Sequence, residues 1–574
     1  MALRYVAILL RNNAPLTSDL EVRAYEAVLR YSIRLDRVVV FANAPLSHSG
    51  DFVFIGDVFR KSDFTYVSGP DITLLRTGFD WTTPLTEHYW GTYVAVTGRP
   101  GPAAFRDPSG QMPCLIAEKP EALYVASDLA ALRALTLLPF HVSWSSLHAH
   151  LFASELCRPD TCLEGISELR PAELVQLGPT GDIQRFTAWQ PPVAEISDGL
   201  MAYADRARAL REIVLKTTQA IGSRHTSIIL GVSGGLDSSV AASALGNHPG
   251  LKLMTKVAPM AAGDERPFAR LLADHLGYPL EVIHYDLDDI GFLASHLQHL
   301  ARPRPNLSGQ AAETALRRHF GITGEDATFS GFGGDNVFGY LTSGAVLADL
   351  LLTRGLTGQP WRTLDDLARL TGDNYLAVAR AALKILWRRK PRTWPTDPRG
   401  LTLSEALARE PFDHPWLSGS ITLPGKYRHL ELVARTQNRL EGFDRKTAGP
   451  TIAPLLLQPI VEHCLAVPVW EWCRGGENRS LVRAAFAEDL PLDILTRRTK
   501  GSPGGFSYKL FKTRQKDIRE ILLDGSLRKH GIIDVSAIEA ELSDDAVTKG
   551  AFYHRLLEFT AAELWANSVG PSKK

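Results

Sequence analysis

The sequence predicts an α/β protein in two parts: a β-rich first third folding as a sandwich of sheets, then a parallel sheet with helices on both faces. Three observations predict it. Residues 1–192 carry short apolar runs separated by turn residues, with few helical stretches. Residues 200–565 alternate apolar strands with helical segments, the pattern of βαβ units. At the head of this second part, Ser227-Ile228-Ile229-Leu230-Gly231-Val232 runs into Ser233-Gly234-Gly235-Leu236-Asp237-Ser238-Ser239, and a helical segment follows. A buried strand thus enters a glycine turn that opens a helix.

In the first part, strands are expected over Val38–Ala42, Asp51–Ile55, Tyr93–Val96 and Leu123–Ala126, with one helix in the middle of Glu21–Leu35. The stretch Gln190–Gly199, with Pro191 and Pro192, reads as the linker. A helix over Tyr203–Ile221 places Ala207, Leu210, Ile213, Val214 and Ala220 roughly on one face. Beyond the glycine turn come a strand at Leu251–Val257, a helix at Asp264–Leu276 and a strand at Leu280–Tyr285.

Composition narrows the function classes. The chain has 574 residues, room for two to four domains at roughly 100–200 residues each. Apolar residues make up 45%, so large cores form readily. Lys+Arg and Asp+Glu stand at 63 each, a balance that gives no general argument for nucleic acid or an anionic membrane, and neither is expected as a partner. The five cysteines, Cys114, Cys157, Cys162, Cys464 and Cys473, are too few for a disulfide framework and fit a reducing cytoplasm. Cys157 and Cys162 have no Cys/His partners nearby, so no zinc site is expected. The apolar run Tyr5–Leu10 is strand-sized, and no run reaches the roughly 18 residues of a membrane span. Basic residues between Trp387 and Trp394 read as an exposed helix end and loop.

The glycine turn has the chemistry of a phosphate cradle. Serine hydroxyls and first-turn N–H groups converge at a helix N-terminus, where the dipole favours an anion. Asp237 fits there when a divalent cation bridges it to phosphate oxygens. No Gly-Lys-Ser/Thr follows, so the turn is not a Walker loop. A second glycine turn, Ser330-Gly331-Phe332-Gly333-Gly334-Asp335, supplies another carboxylate, and its Gly331 lets adenosine lie against the backbone. The candidate nucleotide set is Val232, Ser233, Gly234, Gly235, Asp237, Ser238, Ser239, Val257 and Gly331, and the candidate magnesium set is Asp237 with Asp335.

The first turn resembles the pyrophosphate loop of ATP pyrophosphatases, which make adenylates. With the second turn and Gly263-Asp264-Glu265-Arg266-Pro267-Phe268-Ala269, the order resembles asparagine synthetases and their relatives. That resemblance implies ATP and Mg2+, and gives Lys500, in Arg497-Arg498-Thr499-Lys500-Gly501, the role of stabilising charge at the α-phosphate. Residues 1–192 resemble the glutaminase half of those enzymes, an Ntn-hydrolase-like sandwich. The matching strings are Gly91–Val96, Arg106-Asp107-Pro108-Ser109-Gly110-Gln111-Met112-Pro113 and Ala126-Ser127-Asp128. Such glutaminases use an N-terminal cysteine as nucleophile. Here position 2 is Ala2 and the first cysteine is Cys114, so the domain is expected to persist as an inactive scaffold.

Relatives without that cysteine take an amine from the substrate itself. They are the β-lactam and carbapenam synthetases and the lasso-peptide cyclases. The β-lactam formers carry a tyrosine where this chain has Phe332, which cannot accept a proton. The resemblance therefore points to a lasso-type macrolactam synthetase acting on a precursor peptide, with a leader-removing protease as partner. A β-lactam-type synthetase, an ammonia-dependent asparagine synthetase and a non-catalytic nucleotide- or peptide-binding scaffold remain the alternatives.

Overall fold

In this computed structural model the described residues are 2–11, 18–71, 73, 80–192, 201–260, 263–292, 295, 297–304, 307–321, 326–387, 392–418, 421–441, 445, 448–498, 504–543 and 552–569. The linker after 192, the end of the Trp387 helix, the Lys500 loop from 499 to 503 and the C-terminus after 569 lie outside them.

Two six-stranded antiparallel sheets make the first part. One runs Ile166–Glu168, Leu115–Glu118, Ala122–Ala126, Tyr5–Leu10, Val38–Ala42, Tyr31–Arg34 from edge to edge. The other runs Ile183–Thr187, Glu173–Leu177, Ala103–Arg106, Tyr89–Thr97, Phe52–Arg60, Ser47–Ser49. The alternation of each strand sorts its side chains to two faces. Ala7, Val40 and Val125 of the first sheet meet Val53, Val94 and Val175 of the second in one buried layer, which makes the pair a sandwich. The opposite face of the first sheet, with Ile8 and Tyr124, continues through Leu132 and Leu147 to Phe511 and Trp565 of the C-terminal helices.

One expectation is corrected here. The helix placed in the middle of Glu21–Leu35 lies instead at Ser18–Glu26, and Tyr31–Arg34 is an edge strand paired with Val39–Ala42. Register with the neighbouring strand outweighs local helical preference for Tyr31-Ser32-Ile33-Arg34.

The second part is built on a five-stranded sheet of order Leu280–His284, Leu251–Val257, Ser227–Gly231, Asp326–Ser330, Thr451–Ile452. All four pairings are parallel. Ile228 and Leu230 pack on one side with helices Tyr203–Gly222, Leu236–Ala244 and Arg266–Leu276. Ile229, Met254 and Ile283 pack on the other with Ala315 and Leu316 of helix Leu307–Phe320. The winding direction reverses between Ser227–Gly231 and Asp326–Ser330. In such sheets, ligands bind at the carboxyl ends of the strands that flank that reversal. Both glycine turns emerge there.

The two parts are tied together by polar contacts. The Gln111 amide exchanges two hydrogen bonds with the Ala453 backbone, at 2.9 and 2.8 Å. Lys61 pairs with Glu462 at 2.8 Å, and the Ala2 N–H donates to the Ala448 carbonyl at 2.8 Å.

Candidate active site

The strand Ser227–Gly231 ends in the first glycine turn, and helix Leu236–Ala244 starts from Gly235 with no side-chain cap. An uncapped N-terminus leaves backbone donors for a ligand. Gly234 sits at φ +61, and a Cβ there would lie 2.3 Å from Phe268 Cβ, so only glycine fits. Ser238 Oγ donates to the Gly235 carbonyl at 3.1 Å and stands 3.4 Å from Ser233 Oγ. Ser239 is fully buried, with its hydroxyl on Gly235 O at 2.9 Å. It braces the turn rather than facing a ligand.

The second turn leaves strand Asp326–Ser330 and enters the short helix Gly334–Val337. It crosses directly over the first. A Cβ on Gly331 would lie 2.5 Å from the Ser238 nitrogen and 2.7 Å from the Asp237 carbonyl carbon. This contact brings Asp237 and Asp335 to one point, where Arg479 Nη1 donates to both, at 2.8 and 2.5 Å. The guanidinium also lies 5.5 Å from the centre of the Tyr340 ring.

A cleft of about 510 Å³ opens over this point. Ser233, Gly235, Asp237, Ser238, Gly331 and Asp335 of the expected set line it, together with Phe332. Val232 and Val257 do not. Val232 is 3% exposed and spends its N–H on the Met254 carbonyl, and Val257 ends its strand at 9% exposure. Lys500 lies outside the described residues. Sequence reasoning missed Asn478 and Arg479, and quoted Arg497 and Arg498 without assigning them a role. All four line the cleft. Arg497 donates to the Ser233 carbonyl at 2.9 Å, pairs with Glu265 at 3.2 Å and stacks 4.0 Å from the Phe268 ring. The nearest local signal for Arg479 is the Gly475-Gly476 pair ahead of it, both with positive φ. Nothing adjacent to it in sequence joins it to Asp335.

Two carboxylates already gathered around one cationic nitrogen suit a magnesium ion, which takes few protein ligands and completes its shell with phosphate oxygens and water. No group of three or more His, Cys, Asp or Glu with metal-binding geometry occurs among the described residues. Arg479, Arg497 and Arg498 give the cleft the positive wall that a polyphosphate needs.

The asparagine synthase family model matches residues 224–567. The chain belongs to the asparagine synthase family. Members are ATP-dependent, AMP-forming carbon–nitrogen ligases, and both glycine turns of this member lie inside the matched span. No curated protein matches. Solved structures similar to the chain include an allosteric regulatory enzyme of purine biosynthesis, at 9% identity over 61% of this chain and 77% of that one, with a TM-score of 0.22. Another is the glutamine phosphoribosylpyrophosphate amidotransferase from B. subtilis complexed with ADP and GMP, at 10% identity over 69% and 97%, with a TM-score of 0.21. Scores so low bear on neither fold nor chemistry. No helix among the described residues is long and apolar enough to cross a membrane.

The strings of residues 1–192 from which a glutaminase-like scaffold is expected are built into structure. Ala2 is 1% exposed. Asp128, at the end of the Ala126-Ser127-Asp128 string, is held by Arg4 at 2.9 and 3.0 Å. Cys114 is fully buried, and burial pushes its thiol up to about 12. A thiol so held is no nucleophile near neutral pH. The Cys157 and Cys162 thiols are buried, free and likewise raised to about 12.

Proposed function

We propose that this family member closes a macrolactam in a peptide, adenylating an Asp or Glu side chain for attack by the peptide's own N-terminal amine. The nitrogen source carries the reading. Ala2 has no nucleophile and Cys114 is inert, so glutamine hydrolysis by the first part supplies no ammonia. An amine that arrives with the substrate, as in the lasso-peptide cyclases, fits this absence.

The cleft binds ATP with its β- and γ-phosphates against Ser233, Gly235 and Ser238 at the helix N-terminus. Asp237 and Asp335 would hold a magnesium ion, which supplies charge neutralisation at the phosphates. The peptide carboxylate attacks the α-phosphorus, forming an acyl–oxygen–phosphorus link and expelling pyrophosphate into the serine turn. The amine then attacks the acyl carbon, AMP leaves with the oxygen, and the amine gives up a proton. Arg479 and Lys500 are assigned to the phosphate charge that builds in these steps. Phe332 offers no base. A peptide α-amine has a pKa near 7.7–8.0, so roughly a tenth of it is already unprotonated and nucleophilic at pH 7 without one. A protease that frees this amine is the implied partner, and the cytoplasm the implied site.

The test is mass spectrometry of a candidate peptide incubated with the chain, ATP and Mg2+. The expected product is 18 Da lighter, with AMP and pyrophosphate formed in equal amounts. Formation of ADP and phosphate sinks the adenylation step. Asparagine made from aspartate and ammonia, with no change in any peptide, transfers the assignment to ammonia-dependent synthesis.

A further inference from the structure

A smaller cavity, of about 70 Å³, lies on the seam between the two parts, away from the nucleotide cleft. Arg106 and Glu168 face it from the sandwich, and Arg302, Arg304, Gln437 and Arg445 from the synthetase part. Its carboxylates are already matched. Glu168 is held by both Arg106 and Arg302, Asp128 by Arg4, and Glu441 by Arg445 at 3.1 Å. Arg304 is left over: it donates to the Arg439 carbonyl at 3.2 Å, and no carboxylate among the described residues pairs with it. Arg304 is only partly buried; desolvation of its guanidinium pulls its pKa down to about 10, with Glu441 and Glu168 offsetting this only in part.

Two further donors end without an acceptor. Gln437 is 8% exposed, its Oε1 is used by His414 at 2.9 Å, and its Nε2 has no partner. Arg445 Nε is buried and unpartnered as well. Buried donors of this kind are costly to leave unmade.

We propose that the seam cavity is a binding site for a small oxyanion of the carboxylate type, held from the synthetase side by Arg304, Gln437 Nε2 and Arg445 Nε. The donors call for a ligand that only accepts. The volume admits roughly two waters or one anion of a few non-hydrogen atoms, and not a nucleotide.

Calorimetry and thermal unfolding of the full chain test this, with sodium formate and acetate as probes and chloride holding ionic strength constant. One equivalent of formate or acetate is expected to bind, and to raise the unfolding midpoint by about 2 °C or more at saturation. Arg304→Met should abolish both signals. Gln437→Glu keeps the oxygen that His414 uses and adds a carboxylate of the protein's own to the lining that Arg304 shares. It should unfold in chloride no lower than the parent and ignore formate. The proposal is overturned if the parent binds neither probe, or if both variants respond as the parent does.

Discussion

Asp237 and Asp335 share one hydrogen-bond donor, Arg479 Nη1, which lies 2.8 Å from the first and 2.5 Å from the second. The guanidinium thus stands where a divalent cation would neutralise the same two charges. Arg479→Met should leave the carboxylates facing each other. The Asp335 side chain is 41% exposed, so solvent screens part of the repulsion, and the metal-free protein should lose on the order of 1–2 kcal/mol. Adding Mg2+ should then raise the unfolding midpoint of the variant more than that of the parent. Equal shifts would show that Arg479 and the metal do not share the site.

Replacing either carboxylate tests the metal set directly. Asp237→Asn and Asp335→Asn should each slow ATP–pyrophosphate exchange on the order of 10²–10³-fold, the usual effect of losing a major electrostatic contact. Raising Mg2+ should recover part of the loss. An unchanged exchange rate in either variant removes that residue from the metal set.

Gly331→Ala probes the crossing of the turns. The new methyl would lie 2.5 Å from the Ser238 nitrogen, so the turns must separate. Destabilisation on the order of 1–3 kcal/mol is expected from overpacking. ATP affinity should fall more than tenfold, read by equilibrium dialysis, because Asp237 and Asp335 no longer meet.

Cys114→Ala separates scaffold from nucleophile. Ligase turnover should be unchanged, while stability drops by about 1 kcal/mol for the lost buried sulfur. Loss of turnover in folded protein would return Cys114 to the chemistry.

Acid should unfold the chain through buried histidines. Burial lowers His150, His414 and His429 to about 3, against an ordinary value near 6.5. Between those values the unfolded state binds more protons, so stability falls as pH drops through 6.5 and keeps falling to about 3. At pH 5 each histidine contributes a loss of about 2 kcal/mol. Asp107 and Asp349, raised by burial to about 6, act oppositely below that pH and return part of it. A net loss on the order of 3 kcal/mol between pH 7 and 5 is expected from urea unfolding. His429 Nε2 bonds the Val337 carbonyl at 2.8 Å, at the end of the helix that bears Asp335, so His429→Gln should flatten the profile and also disturb the cleft.

Local pattern carried much of the fold. Strand Ser227–Gly231, helix Leu236–Ala244 and strand Leu251–Val257 lie where alternation, turn residues and length place them, because each satisfies its backbone hydrogen bonds locally or with the next strand. Tyr31–Arg34 was misread because its structure depends on Val39–Ala42 across a turn. Val232 and Val257, candidates for the nucleotide set, are buried by the fold instead.

The site divides in the same way. The sequence by itself determined the cradle: the glycines and serines of 233–239, Asp237, and the second turn with Gly331 and Asp335, each recognisable because its function rests on residues adjacent in the chain. Only the tertiary structure decided that Asp237 and Asp335 meet, that Arg479 joins them and that Cys114 is sealed off. The winding of the parallel sheet and the packing of its helices set those distances, and no local spacing encodes a contact between residues 242 positions apart.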